Sequence, residues 1–88
     1  MFSPDQDLEY MKRALKLAQN SAAEGEVPVG ALIVDSQGQI ISEFGNKRET
    51  LTDPTAHAEI LAIQSASQKL KRWRLTGCTL YVTLEPCL

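Results

Sequence analysis

Cysteine, histidine and aromatic residues are scarce in this chain, and long apolar runs are missing. Only two cysteines, Cys78 and Cys87, occur among the 88 residues, too few for a disulfide-stapled scaffold. Without a secretory signal the pair reads as two separate thiols, or a ligand and a core residue. No stretch approaches the roughly 18 apolar residues that a membrane helix requires. Met1-Phe2-Ser3-Pro4-Asp5 has neither the basic nor the apolar region of a signal peptide, so the expected location is cytoplasmic. Charge of one sign is not in excess either. Nine Lys and Arg against eleven Asp and Glu leave a net charge of −2, which gives no global attraction for nucleic acid. A local basic patch stays open. What remains, 43% apolar and 23% charged residues, suits one small globular domain and excludes disorder.

Hydrophobic spacing divides the chain into five elements. From Asp7 to Ala23, Leu8, Met11, Leu15, Ala18 and Ala22 recur at three- and four-residue steps, predicting an amphipathic helix capped by Asp5 or Asp7 and ended near Gly25. Pro28 suits the first residue of a strand, and Val29 to Val34 is almost wholly apolar, as for a strand covered on both faces. Asp35-Ser36-Gln37-Gly38 is turn chemistry, with Gln39 to Phe44 returning as the second strand of a hairpin. Gly45 to Asp53 reads as polar loop. Asp53-Pro54 predicts a second helix start, with Ala58, Leu61, Ala62 and Ala66 on one face and Ile60 and Ile63 widening it. Lys69 to Arg74 forms a basic connector around Trp73, closed by Gly77. It is read as solvated, with the tryptophan packed, in preference to an RNA-stacking surface. Cys78 to Leu84 is the third strand, and Cys78 is read as a small core residue.

Chemistry concentrates at two places. His57 and Glu59 lie two residues apart near the expected helix start, and Pro86-Cys87 follows the third strand. A histidine nitrogen and a cysteine thiolate are both zinc donors. A carboxylate beside them suits proton transfer without ligation. Alone, a histidine at a helix start is usually a surface or capping residue, and a lone Pro-Cys is common. Their order and spacing together are much more specific.

Gly-Glu-Val-Pro-Val-Gly-Ala (25–31), Asn46, Asp-Pro-Thr-Ala-His-Ala-Glu (53–59) and Thr-Leu-Tyr-Val-Thr-Leu-Glu-Pro-Cys (79–87) together resemble the bacterial tRNA-specific adenosine deaminases, over nearly the whole chain. That zinc family carries a His-x-Glu and a Pro-Cys-x-x-Cys signature. The resemblance implies an α/β fold, a truncated three-layer α/β/α cytidine-deaminase-like sandwich in the order helix-strand-strand-helix-strand. It implies zinc held by His57 and Cys87, with Glu59 as the catalytic proton carrier. Asn46, Val27 and Pro28 would bind the base, the first by hydrogen bonds and the others as an apolar wall. The implied reaction is hydrolytic deamination of the wobble adenosine in a tRNA anticodon stem-loop to inosine, by a homodimer. Only Leu88 follows Cys87, so the signature's second cysteine is absent from these residues. The expectation is therefore a single incomplete domain over residues 1–88, inactive alone. A free-base or nucleotide deaminase and a non-catalytic fragment are the competing readings.

Overall fold

A computed structural model describes residues 2–46, 57–72 and 74–83. The elements are α1 (Pro4–Ala23), β1 (Gly30–Val34), β2 (Ile40–Gly45), α2 (Ala58–Leu70) and β3 (Thr79–Val82). Their order is the expected helix-strand-strand-helix-strand.

The strands form one sheet in the order β2-β1-β3, with β1 antiparallel to both neighbours. Every residue of β1 is buried, and alternate side chains serve opposite faces. Ala31 and Ile33, with Val29 just before the strand, pack against Ala58, Ala62 and Ala66 of α2. Leu32 and Val34 pack with Tyr81 of β3 against Ala14 of α1. The two helices therefore cover opposite faces, which makes three layers. The doubly apolar run in the sequence has this origin.

α1 begins earlier than expected. Its N-cap is Ser3, not Asp5 or Asp7. The Ser3 hydroxyl accepts from the Gln6 amide at 3.2 Å, and the Gln6 side-chain oxygen accepts from the Ser3 amide at 2.9 Å. This reciprocal pair satisfies two donors where a lone aspartate satisfies one. Asp5 and Asp7 instead lie in the first turn, where they favour the positive helix end.

The buried face of α1 also differs from the expected one. Leu8 and Leu15 are 54% and 52% exposed, whereas Ala14, Ala18 and Ser21 are buried. The cause is a close approach to two glycines on the sheet. A Cβ on Gly30 would stand 2.0 Å from the Ala14 carbonyl oxygen and 2.8 Å from the Ala18 nitrogen. One on Gly45 would stand 1.9 Å from the Ser21 hydroxyl. Ala14, Ala18 and Ser21 let the backbone come this close, with Leu17 partly buried beside them, while Leu8 and Leu15 turn outward.

The hairpin turn holds as read. Gly38 adopts φ +86°, and the Asp35 carboxylate accepts from the amides of Gln37 and Gln39 at 2.9 Å each. On α2 the alanine face is buried as expected, but Ile60 and Ile63 are exposed and do not widen it. Lys69, Lys71, Arg72 and Arg74 are exposed, in keeping with a solvated connector, while Trp73 lies outside the described residues. Cys78 is half-buried and packs beside the α2 cluster, less enclosed than a core residue. Among the described residues no helix is long and apolar enough to cross a membrane.

Candidate active site at the start of the second helix

Four chain segments meet at one end of the sheet: the approach to β1, the exit from β2, the start of α2 and the exit from β3. Asn46, immediately after β2, is their common point. Its amide donates to the Val29 carbonyl at 3.1 Å, and its own carbonyl accepts from the Ser21 hydroxyl at 3.4 Å. Its side-chain oxygen accepts from the Ala58 amide, the first of α2, at 2.8 Å. Asn46 is only 1% exposed, and its Nδ2 is buried with no partner among the described residues. A buried amide donor without a partner costs about 1–3 kcal/mol, a cost a ligand acceptor would remove.

His57 does not lie inside the second helix. The sequence placed the helix start at Asp53, with His57 in its first or second turn. Instead His57 is the N-cap itself, with an extended backbone at φ −75° and ψ 144°, and the helix begins at Ala58. Asp53 and Pro54 lie outside the described residues. The 200° separation that two residues would have on a helix therefore does not apply. Because the backbone turns at His57, its side chain and that of Glu59 converge, with Nδ1 and Oε1 3.6 Å apart. That distance is too long for a hydrogen bond but within ion-pair range for a protonated imidazole. The side chains are 28% and 36% exposed, accessible but sheltered.

Val27 and Pro28 are exposed beside this point. The Val29 amide donates to the Val27 carbonyl at 2.8 Å, closing a three-residue turn centred on Pro28. Its proline-fixed φ suits that turn. On the other side, Thr83 is clamped to Gly30. Its hydroxyl accepts from the Gly30 amide and its amide donates to the Gly30 carbonyl, both at 2.9 Å. β3 therefore delivers the chain to the same end of the sheet as His57. Cys87, four residues further on, lies outside the described residues.

The structure thus brings His57, Glu59, Asn46, Val27 and Pro28 to one end of the sheet. Sequence reasoning missed the clamp from Asn46 to Ala58 and the Thr83–Gly30 pair. Both link residues far apart in the chain, for which no local pattern exists. The donor chemistry fits zinc in part. An imidazole nitrogen stands 3.6 Å from a carboxylate oxygen, but among the described residues no three His, Cys, Asp or Glu side chains converge.

A three-layer α/β/α arrangement in the order helix-strand-strand-helix-strand defines a deaminase-type fold. The comparisons agree. Residues 4–88 match the family described as the cytidine and deoxycytidylate deaminase zinc-binding region. The chain belongs to that family. It is 54% identical over 79 residues to the tRNA-specific adenosine deaminase of Aquifex aeolicus (strain VF5), covering 90% of this chain and 52% of the relative. It is 52% identical over 82 residues to that of Bacillus subtilis (strain 168), covering 93% and 50%. Among solved structures, one from work on A-to-I editing by tRNA:A34 deaminases superposes with a TM-score of 0.83 at 45% identity, covering 91% of this chain and 61% of that one. Guanine deaminase from Bacillus subtilis gives 0.84 at 40% identity, covering 98% and 53%. The chain spans about half the length of the curated relatives it matches.

Proposed function

We propose that this chain carries the base-binding residues and part of the metal site of a zinc-dependent hydrolytic deaminase that converts the wobble adenosine of tRNA to inosine. The observation that supports this most is the convergence of His57 and Glu59 at the start of α2, beside the unpartnered amide of Asn46. The named relatives at 54% and 52% identity support tRNA as the substrate.

In this reading His57 and Cys87 would hold the zinc. The metal, when bound, supplies a Lewis acid and lowers the pKa of water towards about 7. Glu59 would take a proton from the attacking water and pass it to the purine ring, then take the proton of the added hydroxyl and pass it to the amino group, which departs as ammonia. Water and adenosine are consumed, and inosine and ammonia result. Asn46 offers Nδ2 to an acceptor on the base. Val27 and Pro28 form an apolar wall that orients the ring and sheds water. The reading extends to a homodimer acting in the cytoplasm on the anticodon stem-loop.

A free-purine deaminase is the second reading, favoured by the 0.84 TM-score against guanine deaminase. The two separate in one assay. The chain is completed with the C-terminal half of the Bacillus subtilis tRNA deaminase and given an anticodon stem-loop, free guanine and free cytosine in turn. Inosine should form in the stem-loop while the free bases persist. Turnover of the free bases alone overturns the proposal.

A further inference from the structure

α2 starts without a cap of its own. The first four amides of a helix have no partner inside it. At α1 this is met locally by Ser3, but at α2 the N-cap residue is His57, whose side chain makes no capping hydrogen bond. The acceptor comes from another layer and twelve residues earlier in the chain: Oδ1 of Asn46, 2.8 Å from the Ala58 amide. Asn46 is itself fixed from two directions, through Val29 and Ser21.

We infer that Asn46 is a positioning residue as well as a ligand-facing one. Its amide oxygen clamps the first turn of α2 to the β1–β2 layer and thereby sets where His57 and Glu59 stand. Its effect on zinc and catalysis rests on the function proposed above; the clamp itself does not. The arrangement frees the imidazole from capping, so His57 keeps its nitrogens for other work. It also settles the orientation of the amide. Turning it over would bring two N–H donors face to face at Ala58, so the unpartnered group in the site is a donor only. One side chain thus ties a ligand contact to the helix start that carries the reactive pair.

Substitution separates the two halves. Asn46→Asp keeps an oxygen at the capping position, where aspartate is as good a cap as asparagine. Asn46→Ala removes cap and donor together. Amide exchange at Ala58, read by NMR on the metal-free chain, should quicken by about 3- to 30-fold in Asn46→Ala. In Asn46→Asp it should stay close to the unsubstituted rate. Zinc, titrated as the probe, should bind Asn46→Ala about 10- to 100-fold more weakly, as when a supporting partner is lost. Equal Ala58 exchange in all three chains overturns the clamp.

A measurement on the unsubstituted chain removes any dependence on whether the variants fold. A hydrogen-bond scalar coupling should appear between the Ala58 nitrogen and the Asn46 side-chain carbonyl carbon. Its absence overturns the inference. Its presence in the chain, with RNA left unchanged by the version completed as in the assay above, would instead refute the deaminase reading and preserve the clamp.

Discussion

Replacing Gly30 by alanine tests the packing that holds the site together. Gly30 has no positive φ, so its backbone conformation is open to alanine. With free space around it, the substitution would stabilise by about 0.4–1 kcal/mol through the unfolded chain. There is no free space. The new methyl carbon would meet the Ala14 carbonyl oxygen at 2.0 Å, the Ala18 nitrogen at 2.8 Å and the Leu17 Cβ at 2.8 Å. Two of these three are main-chain atoms of α1 and cannot rotate away, so the helix must retreat from the sheet. Overpacking usually costs about 1–3 kcal/mol, and a main-chain obstacle belongs at the upper end. Total stability for a chain of this length is about 4–13 kcal/mol, so the loss is a large fraction of it. With a urea slope of about 1.5 kcal/mol per molar, the midpoint should fall by roughly 2 M, followed by circular dichroism. Gly45→Ala supplies the contrast, because the nearest obstacle there is the Ser21 hydroxyl at 1.9 Å. Adding Ser21→Ala should recover part of its loss, whereas trimming side chains on α1 should not rescue Gly30→Ala. A Gly30→Ala chain as stable as the original, or more so, refutes the close approach of α1.

Two further expectations concern the opposite faces of the sheet. Burial, reinforced by a hydrogen bond to Asp7, pushes the Tyr81 hydroxyl up to about 12, so its neutral form is favoured in the folded state. Stability from this group is complete below the unfolded value of about 10 and is lost as pH rises through about 12. Denaturation across that range should show the fall, and Tyr81→Phe should flatten it. An unchanged alkaline profile in Tyr81→Phe contradicts the assignment. On the other face, Ala62 of α2 is fully buried against the sheet and its carbonyl accepts from the Ser42 hydroxyl at 2.7 Å. Ala62→Leu should cost about 1–3 kcal/mol in chemical denaturation, and a shift below about 0.5 kcal/mol would show that α2 sits further from the sheet.

What was legible in the sequence follows how far each cause reaches along the chain. β1 reads directly, because five successive buried residues leave a continuous apolar run. The α1 cap was also present locally, as Ser3-Pro4-Asp5-Gln6, but acidic residues two and four positions later compete for the same role. The buried side of α1 was not legible. Leu8 and Leu15 carry the stronger hydrophobic signal, yet the seam is chosen by Gly30 and Gly45, residues distant in sequence that face Ala14, Leu17, Ala18 and Ser21. The start of α2 was misplaced for a similar reason, since its side-chain cap comes from Asn46 in another layer. Within the site, His57 and Glu59 announced themselves by spacing, while Asn46, Val27 and Pro28 were visible only through family resemblance. Cys87 remains a reading of the sequence, outside the described residues.

The central claim is a division of labour between a nitrogen that holds metal and a neighbouring carboxylate that moves protons. It is tested most directly by substituting Glu59 with alanine in the completed chain, then measuring bound zinc and inosine formation on the same preparation. The account predicts undiminished zinc with inosine formation lowered at least about 10²- to 10⁴-fold. Loss of zinc along with activity, or activity that survives without the carboxylate, contradicts it.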